Sequence, residues 1–339
     1  MIAEFAFTPS VFHEEANPDA ESWRDQLREL SHAMFPKTAP SPVMVANLWG
    51  GTWHNIALTN ALAIADHKLK RLCVDLLSKI QGSLVPRPFV AQELPNEDRA
   101  WGMEAIWSHA IEPIDRVISC RAVQDAMTAE GHSVRCISEV HGDGFWRNIS
   151  SQWDQPLNIS SQIQAIRKLS VHAEFLCLVS PHVRGAGDDE TAFATEMIRS
   201  AIQRPTGFGP VDIEIHSEGP DNPEAADFGS RLARLASNTS TALVSALRPG
   251  QSVRLVLWPK LLDRYLIAGA YTYSSKGKKS RRARWGISMQ HIARRNDDRE
   301  DKPSTSWSLL GPKQLRDVFD RYCTGAPKDT LFDTVVNGH

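Results

Sequence analysis

The segment from Val253 to Tyr322 constrains the fold more than any other part of the chain. It contains two apolar runs typical of strands, Val253–Trp258 and Leu262–Ile267. Gly311-Pro312 then opens a terminal helix, with proline at a first helical position. The connection over residues 276–284 holds six Lys or Arg side chains among nine residues. This order predicts a sheet whose edge carries a basic loop that faces phosphate groups.

Strand-like and helix-like segments alternate along most of the chain, which predicts the α/β fold class. Asn17-Pro18 is typical of a helix N-cap followed by proline, and a long helical pattern runs from Ile56 to Ile80. Further predicted elements are strands at 42–48, 175–179 and 211–216, and helices at 122–129, 189–202 and 228–247.

The chain has 339 residues, which is too long for one small core and favours two domains at roughly 150 residues each. Residues 142–170 are largely polar, so we place the boundary there. We predict two mixed α/β domains. The first, 1–150, has no assigned role, and the second, 165–330, carries the basic loop.

The net charge of −2 hides an uneven distribution. Residues 1–150 carry a net charge of −6, whereas residues 151–339 carry +4. Within residues 250–299 the net charge is +9. A cationic patch of this kind attracts polyanions, so we expect nucleic acid, DNA or RNA, as the partner. An acidic protein, or the acidic half of a second copy in a homodimer, would satisfy the same charge.

The five cysteines are widely spaced, odd in number and without a C-x-x-C pair. They predict buried reduced thiols, with no disulfide frame. We expect no bound cofactor and no metal site. No apolar run reaches the roughly 18 residues of a membrane span, and the N-terminus lacks a basic region followed by an apolar one. We therefore expect a cytoplasmic protein with no membrane partner.

Three short motifs in the second half resemble those of degenerate phospholipase D-like domains, including the C-terminal domain of MIT-containing proteins. They stand here as Val179-Ser180-Pro181-His182, Ile213-Glu214-Ile215-His216-Ser217 and Leu262-Asp263-Arg264-Tyr265. The resemblance covers about residues 165–325. It implies a phospholipase D-like fold and a role in bacterial anti-phage defence or in a mobile element.

This sequence departs from the catalytic pattern of that family. Active members use H-x-K-x-x-x-x-D motifs, in which histidine attacks phosphorus and lysine neutralises the phosphate oxygens. No H-x-K occurs in this chain, and Leu262 occupies the position that would hold histidine. Phosphodiester cleavage by that mechanism is not expected. A nuclease or phosphodiesterase with a rearranged site is the alternative, with Asp263, Arg264 and His291 as catalytic candidates, completed by His182 or His216.

We predict that Arg264 and the basic loop bind phosphate. Arg264 would donate two hydrogen bonds to a phosphate while Asp263 orients it, although an internal ion pair explains the same residues. Tyr271, Tyr273 and Trp285 flank the loop, so bases could stack beside the phosphate contacts. A solvated loop without a ligand is the alternative. The six cations are Lys276, Lys278, Lys279, Arg281, Arg282 and Arg284.

Two features of the first domain have weaker chemical implications. Glu139, His141 and Asp143 alternate, which in an extended segment places all three on one side for a metal or for acid-base work; a turn is the alternative. Gly50-Gly51 follows a predicted strand, where backbone N–H groups could meet a phosphate or form a tight turn.

Overall fold

The computed structural model describes residues 2–37, 39–90, 93–140, 149–292, 304–324 and 329–338. It divides into two compact units. The N-unit comprises Met1–Ser151 with Pro205–Phe208, and the C-unit comprises Gln152–Arg204 with Gly209–His339. Helices and strands occur in both units, which confirms the predicted α/β class. In these described ranges, no helix is long and apolar enough to cross a bilayer.

The N-unit is built on a parallel sheet of five strands in the order β3-β2-β1-β4-β5. Its strands are β1 Ala3–Phe7, β2 Val43–Asn47, β3 Leu84–Pro86, β4 Arg116–Ser119 and β5 Arg135–Cys136. Its helices are α1 Ala20–Met34, α2 Leu48–Gly51, α3 Trp53–Ala63, α4 His67–Gln81, α5 Asp98–Ile111 and α6 Arg121–Ala129. This order is that of a doubly wound sheet, whose central strand β1 is buried at all five positions.

Two helix boundaries in the N-unit differ from the predicted ones. The N-cap of α1 is Asp19, whose carboxylate accepts from the Ser22 N–H, so the prediction of Asn17 was wrong. Asn17 instead donates to the carbonyls of Ser10 and His13. The single long helix was also wrong, because Asp66 accepts from two backbone N–H groups and starts α4 as a separate helix.

The C-unit is built on a mixed sheet of eight strands in the order β13-β9-β8-β7-β10-β11-β12-β6. Strands β7, β8 and β9 are mutually parallel, and the other pairings are antiparallel. The strands are β6 Gln152–Pro156, β7 Phe175–Val179, β8 Asp212–Glu218, β9 Ser252–Trp258, β10 Tyr265–Tyr273, β11 Lys279–Met289, β12 Ser304–Leu309 and β13 Phe332–Asn337. The helices are α7 Ile159–His172, α8 Asp189–Ile202, α9 Phe228–Val244 and α10 Pro312–Tyr322.

The basic loop predicted over residues 276–284 is mostly strand, so the prediction was wrong in its extent. Residues 279–284 belong to β11 and pair with β10, Tyr271 opposite Arg281 and Thr272 opposite Ser280. Only residues 274–278 form the turn, where Gly277 has a φ of 75°. Aromatic and β-branched residues of β10 extend the pairing into the basic segment, because such side chains favour cross-strand contacts.

A buried ion pair ties β1 to the segment that follows β3. Arg87 donates to both carboxylate oxygens of Glu4, at 2.7 and 2.6 Å, and both side chains have 0% exposure. Arg87 also donates to the carbonyls of Ser108 and Glu112 at the end of α5. One guanidinium therefore joins a central strand to a helix end.

We predict that Glu4→Gln lowers the free energy of unfolding of the N-unit by about 3–5 kcal/mol, because it leaves a buried guanidinium without its counter-charge. Urea denaturation checks this. Glu15→Gln, at an exposed position, should change stability by less than about 0.5 kcal/mol. Equal effects of the two substitutions would show that the buried pair has no special weight.

Candidate nucleic-acid interface

The basic residues lie on one β-hairpin, which we call the basic hairpin and define as residues 271–284. Its tip and outer strand positions are exposed. Lys276, Lys278 and Arg282 are exposed cations, and no acidic side chain among the described residues pairs with them. Tyr273, the last residue of β10, has 67% of its surface exposed. The hairpin thus presents cations and one aromatic ring to solvent.

The two faces of the hairpin have different roles, because successive side chains of a strand point to opposite sides. Lys279 and Arg281 lie on the face that also carries Glu214, whereas Arg282 lies on the other. Arg284 falls at the irregularity in pairing between Ala268 and Gly269, next to the ring of Trp285. Only part of the basic cluster is therefore directed at solvent.

Lys279 is held by neighbours on its own face. Its ammonium lies 3.5 Å from the centre of the Tyr271 ring and 3.5 Å from Asp212 Oδ2. The Tyr271 hydroxyl donates to the same Asp212 carboxylate. These contacts orient the lysine along the sheet, although 48% of its side chain stays exposed.

Arg281 belongs to a buried charge network centred on Glu214. Its Nη1 lies 2.8 Å from Glu214 Oε2, while Nη1 of Arg254 donates to Oε1 at 3.0 Å. Arg254 also donates to both oxygens of Asp333. Glu214 is 3% exposed. Arg281 therefore acts as the counter-charge of a buried carboxylate, and its guanidinium is not available as a simple phosphate ligand.

His216 lies next to this carboxylate and is completely buried. The Trp258 indole N–H donates to His216 Nδ1 at 2.9 Å. An indole nitrogen can only donate, so Nδ1 must be the unprotonated nitrogen and a neutral ring carries its proton on Nε2. That nitrogen lies 3.6 Å from Glu214 Oε2, beyond normal hydrogen-bond length.

The ionisation of the pair follows from burial and neighbouring charges. Burial raises the pKa of Glu214, but His216, Arg281 and Arg254 outweigh it and lower that pKa from 4.5 to about 2. Burial lowers the pKa of His216 below its usual 6.5, against the opposing pull of Glu214. The network is thus an ionised carboxylate beside a neutral imidazole at neutral pH.

Cys177, Glu214 and His216 together offer donor atoms that metals bind, all within 4.8 Å of one another. Burial raises the pKa of Cys177 well above its usual value, and a hydrogen bond to Cys323 adds to the shift. Thiolate and unprotonated imidazole are the forms that bind metal. The protonated thiol, the proton on His216 Nε2 and the two arginines at Glu214 all oppose binding, so these residues do not fit a metal centre.

Arg264 is also part of an internal contact. It donates from Nε to Glu190 Oε1 at 2.8 Å, and its side chain is 17% exposed. The other oxygen of Glu190 accepts from the Ser180 hydroxyl and from the His182 N–H. The partner of Arg264 is therefore Glu190 at the start of α8. Through these contacts Glu190 connects the end of β7 to the start of β10.

The remaining catalytic candidates differ in their exposure to solvent. Asp263 and His182 are exposed, whereas His216 is inaccessible to a substrate. The His291 backbone N–H donates to Thr305 Oγ1, and its carbonyl accepts from the Trp307 indole, so main-chain contacts fix its position after β11. Antiparallel pairing puts the end of β11 beside Arg264, since the Met289 N–H donates to the Arg264 carbonyl.

In the N-unit, Glu139 accepts from Arg121 and Gln124. Burial raises its pKa, but these donors lower it below its usual value. His141 and Asp143 lie outside the described residues. Gly50 and Gly51 follow β2 within the four-residue segment α2, where φ values of 62° and 96° make a tight turn in place of a regular helix. The Trp49 indole donates to the Glu93 carbonyl across that turn.

Sequence reasoning missed Glu190, Arg254 and Asp333 as partners of the basic residues. Glu190 is an ordinary acidic residue in the first turn of a helix, and Asp333 lies in a strand that was not predicted. The alternation Glu214-Ile215-His216 did carry a signal, because it places two titratable groups on one face of an apolar strand.

Comparisons with known proteins identify no family for this chain. No protein-family profile matches it, and no curated protein matches it. Among solved structures, TrmBL2, an archaeal chromatin protein described as showing a novel mode of DNA binding, aligns with 74% of this chain and 78% of its own. The identity is 8% and the TM-score is 0.24, which is too low to support an inference.

We predict that acidification weakens the C-unit in two steps. Unfolded His216 gains a proton near pH 6.5 while the buried ring does not, so the free energy of unfolding falls below about pH 6.5. Unfolded Glu214 gains its proton near pH 4.5, whereas the folded carboxylate stays charged to about pH 2, so stability falls again in that window.

Chemical denaturation across this pH range tests the first step with His216→Asn, whose amide oxygen lies where Nδ1 lies and can accept from the Trp258 indole. The variant should lose a slope of at most about 1.4 kcal/mol per pH unit below pH 6.5. Parallel pH profiles for the variant and the natural protein would contradict the neutral, buried state of His216.

Proposed function

We propose that this protein binds nucleic acid through the exposed cations of the basic hairpin. The observation that carries the proposal is the division of the hairpin's charge. Arg281 forms an ion pair with the buried Glu214, while Lys276, Lys278 and Arg282 have no acidic partner among the described residues. Exposed cations without counter-charges bind phosphate backbones favourably, because each contact with a phosphate releases counterions from the nucleic acid.

The hairpin also offers a surface for bases. Tyr273 is largely exposed at the end of β10, within the same stretch as Lys276 and Lys278. An exposed ring next to a turn that carries lysines suits an unpaired base, which stacks on the ring while its phosphates contact the lysines. Single-stranded nucleic acid is therefore the favoured ligand, and a duplex would use the cations alone.

A phospholipase D-like origin of the C-unit remains a proposal. What supports it is the placement of its three motifs: Ser180-Pro181-His182 follows β7, His216-Ser217 lies near the end of β8, and Asp263-Arg264 precedes β10. Because β7 and β8 are parallel and β10 is antiparallel to β7, all three lie at one edge of the sheet. A role in bacterial defence or a mobile element rests on the family resemblance alone.

Fluorescence anisotropy of labelled single- and double-stranded DNA and RNA tests the proposal at about 50 and 200 mM salt. The Lys276→Ala, Lys278→Ala and Arg282→Ala triple variant should bind about tenfold or more weakly at the lower salt. It should also reduce the slope of log affinity against log salt by about 2–3, because up to three phosphate contacts are lost.

Two variants control this experiment. A triple change of Lys68, Lys70 and Arg71 to Ala removes the same charge from α4 and should leave affinity within about twofold if the hairpin is the site. Arg264→Ala tests whether Arg264, which is paired with Glu190, also contacts the ligand. Equal losses for both triple variants, or no binding at the lower salt, would contradict the proposal. Cleavage in the presence of Mg²⁺ would favour the rearranged-enzyme alternative.

A further inference from the structure

The outer side of β13 is an open edge of the C-unit sheet. β13 pairs with β9 on one side, and no other described strand pairs with it. The pairing runs in unbroken register from Phe332 to Asn337. Val335 is 56% exposed in the middle of this strand. An edge of this kind presents a row of unpaired backbone N–H and C=O groups.

Lysine and proline, which often protect an edge, are missing from β13, and its one charged side chain, Asp333, is paired with Arg254. Natural edge strands are blunted by lysine, proline or a bulge, and the sequence Phe-Asp-Thr-Val-Val-Asn contains neither residue. The opposite edge of the same sheet, β6, ends at Pro156, which has no N–H to offer. The two edges of one sheet therefore differ in their capacity to accept a further strand.

The register of β13 identifies which of its groups face outward. The Gly338 N–H donates to the Gln251 carbonyl, in line with the pairing of Asn337 and Ser252. Antiparallel strands alternate between residues that bond inward and residues that bond outward. Thr334 and Val336 consequently bond to β9, and the backbone groups of Asp333, Val335 and Asn337 point away from the sheet.

The outward-facing residues are complementary to themselves. If two copies of β13 pair antiparallel about Val335, Val335 lies opposite Val335 and Asp333 lies opposite Asn337. The Asp333 carboxylate, whose oxygens also accept from Arg254, then faces a carboxamide donor in both symmetry-related positions, and a β-branched pair occupies the centre. Centring the pairing on Asp333 would instead oppose two carboxylates. The arrangement about Val335 supplies about six interchain hydrogen bonds, two for each of three facing pairs.

A groove borders this edge strand. It has a volume of about 500 Å³ between α9 and β13. The helix contributes mostly small side chains, and the strand contributes residues on either side of Val335. Its helical lining is Ala233, Ala236, Ser237, Ser240 and Val244. These small side chains leave the flank of β13 that faces α9 open.

We propose that β13 is a homodimerisation edge, at which a second copy of this chain adds its own β13 about a two-fold axis through Val335. The C-unit sheet then continues from one protomer into its partner. This proposal is independent of nucleic-acid binding, because the basic hairpin is formed by β10 and β11, which are separated from β13 by three strands in the sheet.

Sedimentation velocity of the full chain at about 100 µM, a concentration suited to small interfaces, tests the proposal. The natural protein should sediment as a dimer. Val335→Lys should weaken the dimer by about tenfold or more, because it opposes two ammonium groups at the axis. Val335→Thr keeps a β-branched residue and should preserve it. A monomeric natural protein, or a dimer unaffected by Val335→Lys, would overturn the proposal.

Oxidative cross-linking supplies a second readout. Facing residues in this register have Cα atoms about 5.5 Å apart, within the range that a disulfide spans. Val335→Cys should therefore form a disulfide-linked dimer on mild oxidation, while Tyr273→Cys, an equally exposed site on the hairpin, should not. Cross-linking of both variants to the same extent, or of neither, would contradict the predicted register.

Discussion

The C-unit depends on the buried ion pairs that the Glu214 carboxylate forms with two arginines. This carboxylate lies on a central parallel strand, where water does not reach it, and its charge is balanced by Arg254 from β9 and Arg281 from β11. Removing both arginines would leave a buried charge without compensation, which is strongly unfavourable, and removing one takes away half of that compensation. The network therefore fixes the position of β11 relative to β8, although two other strands lie between them.

This constraint explains why the six cations of the cluster have different roles. Arg281 points back over the sheet and stabilises the fold, while the alternation of the strand turns Arg282 to the opposite face. The turn lifts Lys276 and Lys278 into solvent. The proposed ligand-binding surface and its structural support are thus formed by the same short segment. Arg264 also has a structural role, because its ion pair with Glu190 connects α8 to β10.

Much of the fold was predictable because it depends on local patterns. The strand Phe175–Val179, the helix Asp189–Ile202 and the helix opened by Gly311-Pro312 were predicted with their observed bounds or close to them. The central strand Ala3–Phe7 and the edge strand β13 were missed. The first contains a buried Glu4 that interrupts its apolar run, and its partner Arg87 is distant in sequence.

The candidate site was predictable as a charge cluster but not as a geometry. Counting Lys and Arg located residues 276–284, yet nothing local distinguishes Arg281 from Arg282. Their roles separate only because Glu214 comes into reach of one face of the hairpin through the strand order of the sheet. Likewise, the pairing of Arg264 with Glu190 depends on a helix 74 residues away in sequence.

Lysine acetylation footprinting with and without single-stranded nucleic acid tests the division of the hairpin most directly. We predict protection of Lys276 and Lys278 by the ligand, weaker protection of the partly shielded Lys279, and none of Lys68 and Lys70 on α4. Unchanged modification of Lys276 and Lys278 in a sample that binds nucleic acid would contradict it, and protection centred on another surface would move the site there.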